Sequence, residues 1–399
     1  MAAAVAPESL AWSDLTVIAA GGKVLLRRCA GTAAAGSLTA VLGSSGSGKT
    51  TLLQCLAGQL PRGSGLRAFG SVTINGARVH GGEAPEQPFK CAFVRQDEEF
   101  FSEMTVLETM RFRAALGGAA CGRGDEPERI LERMGLAKTM HQRVGGAKRK
   151  GLSGGERKRL SLGLELLSRP SLILCDEPTT GLDASQAMRV VEALRALADE
   201  GHTIVMSIHQ PRHRAFQMFD QLLLLSEGDT CYVGTAAGAL AHVRNATGLF
   251  DAKGVAEDRA GNDAEALIDL ISIDYSSAEK QAQTQEVRDR IVTSWRRVGS
   301  VKKQYEKRVT FELDAGAAAA APDAAAAPRR RRRRPIRGLF FQFRRLLARS
   351  FSQLCRDKAT SITRLTTALS SACVFSSIYW KVSPHTHARG RRRWHTHPH

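Results

Sequence analysis

The chain has 399 residues, of which 43% are hydrophobic and 24% are charged, values typical of globular proteins. This composition excludes wholesale disorder, a collagen repeat and a disulfide-stapled scaffold. The formal net charge is +18, but 18 of the 57 Lys and Arg residues and a single acid follow residue 328, which leaves about +1 for residues 1–328. The basic character therefore belongs to the C-terminal segment and is no sign of a nucleic-acid-binding surface elsewhere.

The cysteines and the N-terminus indicate the compartment. Eight cysteines are scattered along the chain without a C-x-x-C pair. The first residues lack a charged region followed by an apolar run, and Met1-Ala-Ala-Ala is too short for a transit peptide. We therefore expect reduced thiols and a cytosol-facing location.

From about residue 9 to residue 275, nearly continuous apolar runs alternate with helical patterns. Four runs are interpreted as buried strands: Ser37–Leu42, Leu172–Asp176, Thr203–Ile208 and Leu222–Leu225. Parallel strands that are covered by helices on both faces have such runs. The pattern predicts an α/β domain over residues 1–275.

Residues 43–50 read G-S-S-G-S-G-K-T and match the phosphate-loop pattern G-x-x-x-x-G-K-[ST], between a predicted strand and a helix expected to open at Thr50. In such a loop, backbone N–H groups surround phosphates, Lys49 reaches the β- and γ-phosphates, and the Thr50 hydroxyl binds Mg²⁺. A flexible Gly/Ser turn is the alternative, and the flanking strand and helix argue against it. The predicted nucleotide-binding residues are Gly43, Ser44, Ser45, Gly46, Ser47, Gly48, Lys49, Thr50 and Thr51.

A second motif, Leu152-Ser153-Gly154-Gly155-Glu156, precedes a helix with leucines on one face. Ser153 and Glu156 have the spacing of a capping box, which by itself explains both residues. The two glycines leave the first turn open to an anion. Ser153 and the backbone N–H groups are therefore predicted to bind a phosphate presented from outside.

A third motif is the apolar run from Leu172 that ends in Asp176 and Glu177. At the C-terminal end of a parallel strand, Asp176 is predicted to join the ligands of Mg²⁺ and Glu177 to polarise a water beside the γ-phosphate. Because acids often follow apolar strands in turns, this interpretation depends on the accompanying phosphate loop.

The character of the sequence changes after Tyr275. Residues 276–337 are predicted to be a linker: residues 276–312 are polar and helix-prone, and the stretch that follows is rich in Ala and Arg. Residues 338–358 combine apolar side chains at helical spacing with arginines, as in an amphipathic helix on a membrane surface. Residues 360–381 are a candidate transmembrane helix, and a buried helix is the alternative because the uncharged stretch is shorter than the roughly 20 residues of a typical span.

The motifs and their order resemble the signature set of the ATP-binding cassette (ABC) ATPases: a phosphate loop, Gln96, L-S-G-G-E, a strand ending in Asp-Glu, Asp183 and His209. Residues 176–183 and 207–212 are similar to the ABCG, or white-type, half-transporters, and residues 92–97 and 267–275 resemble a plant-type branch. The resemblance covers about residues 10–275 and resumes over 338–382. It implies an α/β P-loop NTPase fold with a mixed sheet core and a helical signature subdomain.

The resemblance also implies ATP and Mg²⁺ as ligands and a role for each motif residue. The catalytic set would be Glu177 as general base with His209, Gln96 and Lys49, and the Mg²⁺ ligands would be Thr50, Gln96 and Asp176. A partner chain's ATP would be closed by Ser153, Gly154, Gly155, Glu156 and Asp183.

Because each ATP site would be divided between two chains, the resemblance implies a half-transporter that pairs with a second half-transporter chain, as a homo- or heterodimer. It implies an integral membrane protein whose ATP-binding domain lies in the cytosol. No specific nucleic-acid partner is expected.

The sequence departs from this family in two places. Where many ABC ATPases have an aromatic residue against adenine, this chain has Val17 and Ile18, so aliphatic packing is expected. Residues 382–399 form a basic, His-containing tail, where the family continues into further membrane helices. One membrane helix cannot enclose a transport pathway, so a truncated form is expected.

Two other functions stay open. A soluble ABC ATPase would use the arginine-rich segment to grip nucleic acid, although a second cassette and aromatic residues among the arginines are missing. A non-catalytic regulatory fragment would sequester longer partners. The substrate, the direction of transport, the type of dimer and the particular membrane cannot be read from the sequence.

Overall fold

The computed structural model describes residues 7–61, 65–79, 90–97, 99–116, 124–146, 151–248, 263–317, 343–351 and 358–382. The chain divides into two compact units, Met1–Arg331 and Arg332–His399. The strands of the first unit are β1 Leu10–Ile18, β2 Val24–Ala33, β3 Leu38–Leu42, β4 Arg67–Ile74, β5 Ala77–Val79, β6 Cys91–Val94, β7 Leu172–Cys175, β8 Thr203–Ile208, β9 Gln221–Ser226 and β10 Asp229–Gly234. Its helices are α1 Lys49–Leu56, α2 Val106–Leu116, α3 Glu126–Arg133, α4 Gly154–Leu166, α5 Ala184–Asp199, α6 His213–Phe216, α7 Ala236–Thr247, α8 Asp263–Ile271 and α9 Ala278–Ala317.

A six-stranded sheet in the order β10-β9-β3-β8-β7-β6 forms the centre of this unit. Adjacent strands are parallel from β9 through β3, β8 and β7 to β6. The edge strand β10 is antiparallel to β9. Every residue of β3, β7 and β8 is buried, as expected for parallel strands with helices on both faces. The predicted strands and the predicted mixed sheet are confirmed, with strand ends that differ by at most one residue.

A second, antiparallel sheet in the order β2-β1-β4-β5 covers one side of the central sheet. Its inward residues, among them Trp12 and Leu26, share a core cluster with Leu52 and Leu53 of α1. Val17 is wholly buried in the same cluster. The expectation that Val17 packs on adenine is therefore corrected, because strand alternation turns it into the core while Ile18 stays half-buried.

Helices α2, α3 and α4 pack together through Met110, Ile130 and Met134. Gly163 of α4 allows this close approach, since a Cβ atom there would lie 3.3 Å from Ile130 Cγ2. This group of helices corresponds to the helical subdomain predicted around the L-S-G-G-E motif. It is inserted in the chain between β6 and β7.

The predicted linker begins as α9, and here the structure differs from the expected domain boundary at residue 275. Ile291 and Val292 of α9 are buried with Leu267 and Ile271 of α8 in the main core. The apolar residues are few but lie on one face of the helix, so the polar composition of the segment conceals its packing. Residues 318–337 of the predicted linker lie outside the described residues.

The described part of the second unit is helical. Residues 343–351 form a helical segment within the predicted amphipathic helix, and α10 spans Lys358–Val382, the region predicted at 360–381. None of the helices in the described ranges is both long enough and apolar enough to cross a membrane. Residues 338–342, residues 352–357 and the predicted tail from residue 383 lie outside the described residues.

Candidate nucleotide-binding and catalytic site

The predicted site residues follow the carboxyl ends of four parallel strands. In register, Leu42 of β3 pairs with Ile208 of β8, and Cys175 of β7 pairs with Met206 of β8 and Val94 of β6. The phosphate loop follows β3, His209 follows β8, Asp176 and Glu177 follow β7, and Gln96 lies two residues beyond β6. One edge of the sheet therefore collects these residues, as is usual for ligand sites of parallel sheets.

The phosphate loop is closely fitted between β3 and α1. A Cβ atom at Gly43 would lie 2.2 Å from the Leu225 carbonyl oxygen, so a side chain is excluded there. Gly48 is the N-cap of α1 with a φ of 103°, and no side chain caps this helix. The first turn of α1 therefore presents backbone N–H groups to an anion.

Lys49 is folded back over the loop. Its Nζ atom donates hydrogen bonds to the carbonyl oxygens of Gly43 and Ser44, each at 2.9 Å, and lies 4.0 Å from Glu177 Oε1. The side chain is only 4% exposed. Burial lowers the pKa of the Lys49 ammonium group, and the negative charges of Glu177 and Asp176 partly oppose this effect. A bound phosphate would add further negative charge beside the buried ammonium group.

Asp176 is held by two hydroxyl groups. Asp176 Oδ1 accepts hydrogen bonds from Thr50 Oγ1 at 3.1 Å and from Ser207 Oγ at 2.8 Å. Asp176 is 4% exposed, so these bonds fix the direction of its carboxylate. A carboxylate beside the hydroxyl of a phosphate loop is a donor set that suits Mg²⁺, which is usually bound by one or two carboxylates together with substrate phosphates and water.

Glu177 occupies the left-handed region of backbone conformation, with a φ of 44°. Its N–H group donates to Ser207 Oγ at 2.8 Å, and its Oε2 atom accepts from Thr180 Oγ1 at 3.0 Å and from Gln96 Nε2 at 3.3 Å. A non-glycine residue in this region costs about 1–2 kcal/mol. The surrounding bonds hold Glu177 in that conformation, which points its carboxylate toward Lys49 and Gln96.

We call Lys49, Thr50, Gln96, Asp176 and Glu177 the phosphate-loop cluster. Three residues that support this cluster were not predicted as site residues: Ser207, Thr180 and Lys158. Ser207 is a wholly buried hydroxyl within the otherwise apolar end of β8, and a buried polar group in such a run signals a hydrogen-bond partner. Lys158 of α4 donates a hydrogen bond to the Gln96 carbonyl oxygen, a link that no local pattern indicates.

The L-S-G-G-E motif forms a separate group. Ser153 and Glu156 make the predicted capping box at the start of α4, which confirms that expectation. The Gly155 N–H group donates to Gln186 Oε1 at 2.7 Å, and Gln186 Nε2 donates to Asp183. Asp183 also caps α5 by accepting from the N–H groups of Ser185 and Gln186. We call Ser153, Gly155, Glu156, Asp183 and Gln186 the signature cluster; Gln186 was not predicted.

The remaining predicted residues lie near these groups. Ser45, Gly46 and His209 are exposed, and Ser47 is wholly buried. Within the described ranges, the Ser47 hydroxyl has no hydrogen-bond partner. Gly154 is the first residue of α4, and Thr51 lies in the first turn of α1.

Comparison with known proteins gives relatives for the whole described region. The family described as ABC transporter matches residues 26–180. The chain is 37% identical to ABC transporter G family member 7 of Arabidopsis thaliana over 95% of its own length and 51% of that protein. It is 40% identical to protein white of Drosophila melanogaster over 56% of its own length and 33% of white. The chain thus spans about half, or less, of the length of these curated relatives.

A solved structure, the ADP conformation of an ATP-binding cassette of an ABC transporter, matches with a TM-score of 0.50 and 22% identity over 60% of this chain and 95% of that chain. At this identity the match supports the fold only. The fold, the relatives and the placement of the motif residues agree with one another. The chain therefore carries an ATP-binding cassette of the ABC transporter type, similar to the cassettes of the ABCG transporters.

Proposed function

We propose that the phosphate-loop cluster hydrolyses Mg-ATP and that a pair of such cassettes powers transport of a substrate across a membrane. The observation that carries the proposal is the bonding of Glu177, whose carboxylate lies 4.0 Å from Lys49 and accepts a hydrogen bond from Gln96. This contact supports Glu177 as the general base beside Lys49, the residue that would hold the β- and γ-phosphates.

Each residue of the cluster has a role in this proposal. Lys49 exchanges its bonds to the carbonyl groups of Gly43 and Ser44 for bonds to phosphate oxygens. Glu177 accepts the proton of the attacking water, and Gln96 orients the Glu177 carboxylate. His209, the exposed residue after β8, would hold the γ-phosphate.

Thr50, Asp176 and Gln96 would hold Mg²⁺, which supplies positive charge against the β- and γ-phosphates. Asp176 already shares a hydrogen bond with Thr50. Within the described ranges, no group of three or more His, Cys, Asp or Glu side chains is placed to hold a metal ion. This fits an ion that is held largely by the nucleotide and water.

Replacing Glu177 with glutamine tests the assignment of the general base. We expect ATP hydrolysis by the purified full chain to fall by about 10²–10⁴-fold while ATP binding persists, because the amide cannot accept the proton. Glu192→Gln is the matched control, since it removes only an exposed ion pair with Arg214 at 3.5 Å. Turnover of Glu177→Gln at the control rate would refute the assignment.

We further propose that a complete ATP site needs a second chain. The proposal is supported by the separate bonding of the signature cluster, whose Gly155 N–H and Ser153 hydroxyl groups lie at a helix start suited to a phosphate. Mixing a Lys49→Ala chain with a Gly155→Arg chain would form one site from the two intact halves. Hydrolysis by the mixture, where each variant alone is inactive, is the expected result, and an inactive mixture of chains shown to associate would contradict it.

Membrane attachment through the second unit is the last part of the proposal. Phe343, Leu347 and Phe351 are exposed on one face of the helical segment 343–351, and α10 has no charged residue from Leu365 to Trp380. A basic, amphipathic segment followed by a helix with a long uncharged stretch suits a bilayer and its anionic headgroups. Retention of the chain in membranes after alkaline extraction is expected, and its release would argue against integral insertion by α10.

A further inference from the structure

The phosphate loop rests on the end of β9 and on the turn between β9 and β10. The Gly228 N–H group, in this turn, donates to the Ser47 carbonyl oxygen at 3.0 Å. At the other end of the loop, Gly43 lies so close to Leu225 that a Cβ atom would clash with the Leu225 carbonyl group. Both ends of the phosphate loop are therefore placed by the segment 225–228.

Helix α9 also contacts the two residues that flank this turn, Ser226 and Asp229. Arg288 Nη2 donates to the Ser226 carbonyl oxygen at 3.0 Å and to Asp229 Oδ2 at 2.5 Å. Arg296, about two turns further along α9, donates to Asp229 Oδ1 at 2.7 Å. The last residue of α8 adds to this attachment, because Ser226 Oγ donates to the Ile271 carbonyl oxygen at 2.5 Å.

The contact between Asp229 and Arg288 is buried. Their side chains are 2% and 8% exposed, and Arg27 adds a third guanidinium group 3.7 Å from Asp229. A buried ion pair of this kind holds its two elements in one geometry, because separating the partners leaves a desolvated charge uncompensated. The turn that supports the phosphate loop is thus attached to α9 through a buried ion pair.

We propose that Arg288 is a positioning residue for ATP binding, acting through Asp229 and the β9–β10 turn on the phosphate loop. The proposal rests on the ATP site proposed for this chain and adds a residue outside the motifs. Since coupling between two sites is reciprocal, ATP in the phosphate loop also stabilises the docking of α9 on the turn. Nucleotide occupancy is thereby communicated to α9.

The test compares Arg288→Gln with Arg290→Gln in the full chain. Arg290 lies on the same helix, and its pair with Glu286 is exposed, so its replacement leaves the turn intact. We expect Arg288→Gln to raise the Kd for ATP by about 5- to 50-fold, within the usual range of coupling between sites. The kcat at saturating ATP should change by less than about 2-fold, because Glu177 and Lys49 are untouched. Arg288→Lys should restore part of the affinity.

The change in hydrogen exchange on adding ATP is a second measurement, and a loss of stability alone would not abolish it. Amides of residues 286–298 should exchange more slowly when ATP is added to the wild type and to Arg290→Gln, and this protection should be lost in Arg288→Gln. If Arg288→Gln does not fold, Arg296→Gln tests the proposal instead, since Arg296 is 62% exposed. This replacement should weaken ATP binding by about 2- to 5-fold.

Folded Arg288 or Arg296 variants that bind ATP as tightly as Arg290→Gln would overturn this inference and leave the proposed ATP site standing. A wild-type chain that binds no ATP would instead overturn both.

Discussion

Replacement of Ser207 with alanine removes one hydroxyl group that organises both acidic residues of the site. Ser207 Oγ donates to Asp176 Oδ1 at 2.8 Å and accepts from the Glu177 N–H group at 2.8 Å. Ser207 is wholly buried, and Asp176 is 4% exposed. No water can therefore replace the missing oxygen without rearrangement of β8.

The magnitude follows from the two lost bonds. A hydrogen bond to a charged group contributes about 1.5–3 kcal/mol, and a buried N–H group without a partner costs about 1–3 kcal/mol. Asp176 keeps the hydrogen bond from Thr50 at 3.1 Å, so the loss of the bond from Ser207 to Asp176 should cost about 1.5 kcal/mol, the lower end of that range. We expect Ser207→Ala to lower the free energy of unfolding by about 3 kcal/mol. Glu177, with its φ of 44°, would also relax, and kcat should fall by about 10-fold or more.

Urea unfolding and steady-state ATPase rates check this prediction. Ser185→Ala is the matched control, because Ser185 is exposed on α5 and its replacement should change stability by less than about 0.5 kcal/mol. Ser207→Thr keeps the hydroxyl group and should recover most of the loss. If Ser207→Ala and Ser185→Ala unfold at the same urea concentration with equal kcat, Ser207 does not support the acidic pair.

Two further predictions concern buried polar groups. Burial lowers the pKa of Lys49, so the charged form of Lys49 destabilises the nucleotide-free fold at neutral pH. As the pH rises through the pKa of Lys49 in the folded state toward the pKa of an unfolded lysine, the wild type should gain stability against urea relative to Lys49→Met. Equal dependence of the two proteins on pH would contradict this prediction. Gln186→Leu leaves the Gly155 N–H group without its acceptor and should cost about 1–2 kcal/mol in thermal unfolding, whereas Gln186→Glu, which keeps an acceptor, should retain more stability.

Features encoded in short stretches of sequence could be predicted. The apolar runs gave β3, β7, β8 and β9 to within one residue at each end, because burial on both faces of a parallel sheet demands continuous apolar side chains. The spacing of Ser153 and Glu156 predicted a capping box that depends on one helical turn. The meeting of Asp176 with Thr50 could also be expected, since parallel strands deliver their carboxyl ends to one edge.

Features that depend on distant pairing could not be predicted. Arg288 and Asp229 are 59 residues apart, and each is unremarkable in its own segment. The packing of α9 was concealed because Ile291 and Val292 stand among charged residues, so composition predicted a linker. Val17 was misjudged for a related reason: the strand could be recognised as apolar, but which of two adjacent residues faces the core depends on the register of β1 with β2 and β4.

Lys158 joins the two clusters through one rigid element. It lies on α4, whose first turn carries Ser153 and Gly155 of the signature cluster, and it donates to the Gln96 carbonyl oxygen. Gln96 in turn donates to Glu177. Because a helix moves as a unit over a few residues, we expect a phosphate bound at the first turn of α4, as proposed, to shift the Gln96 backbone as well. Binding of a partner's nucleotide at the signature cluster would then alter the Gln96–Glu177 hydrogen bond and so affect the proposed general base.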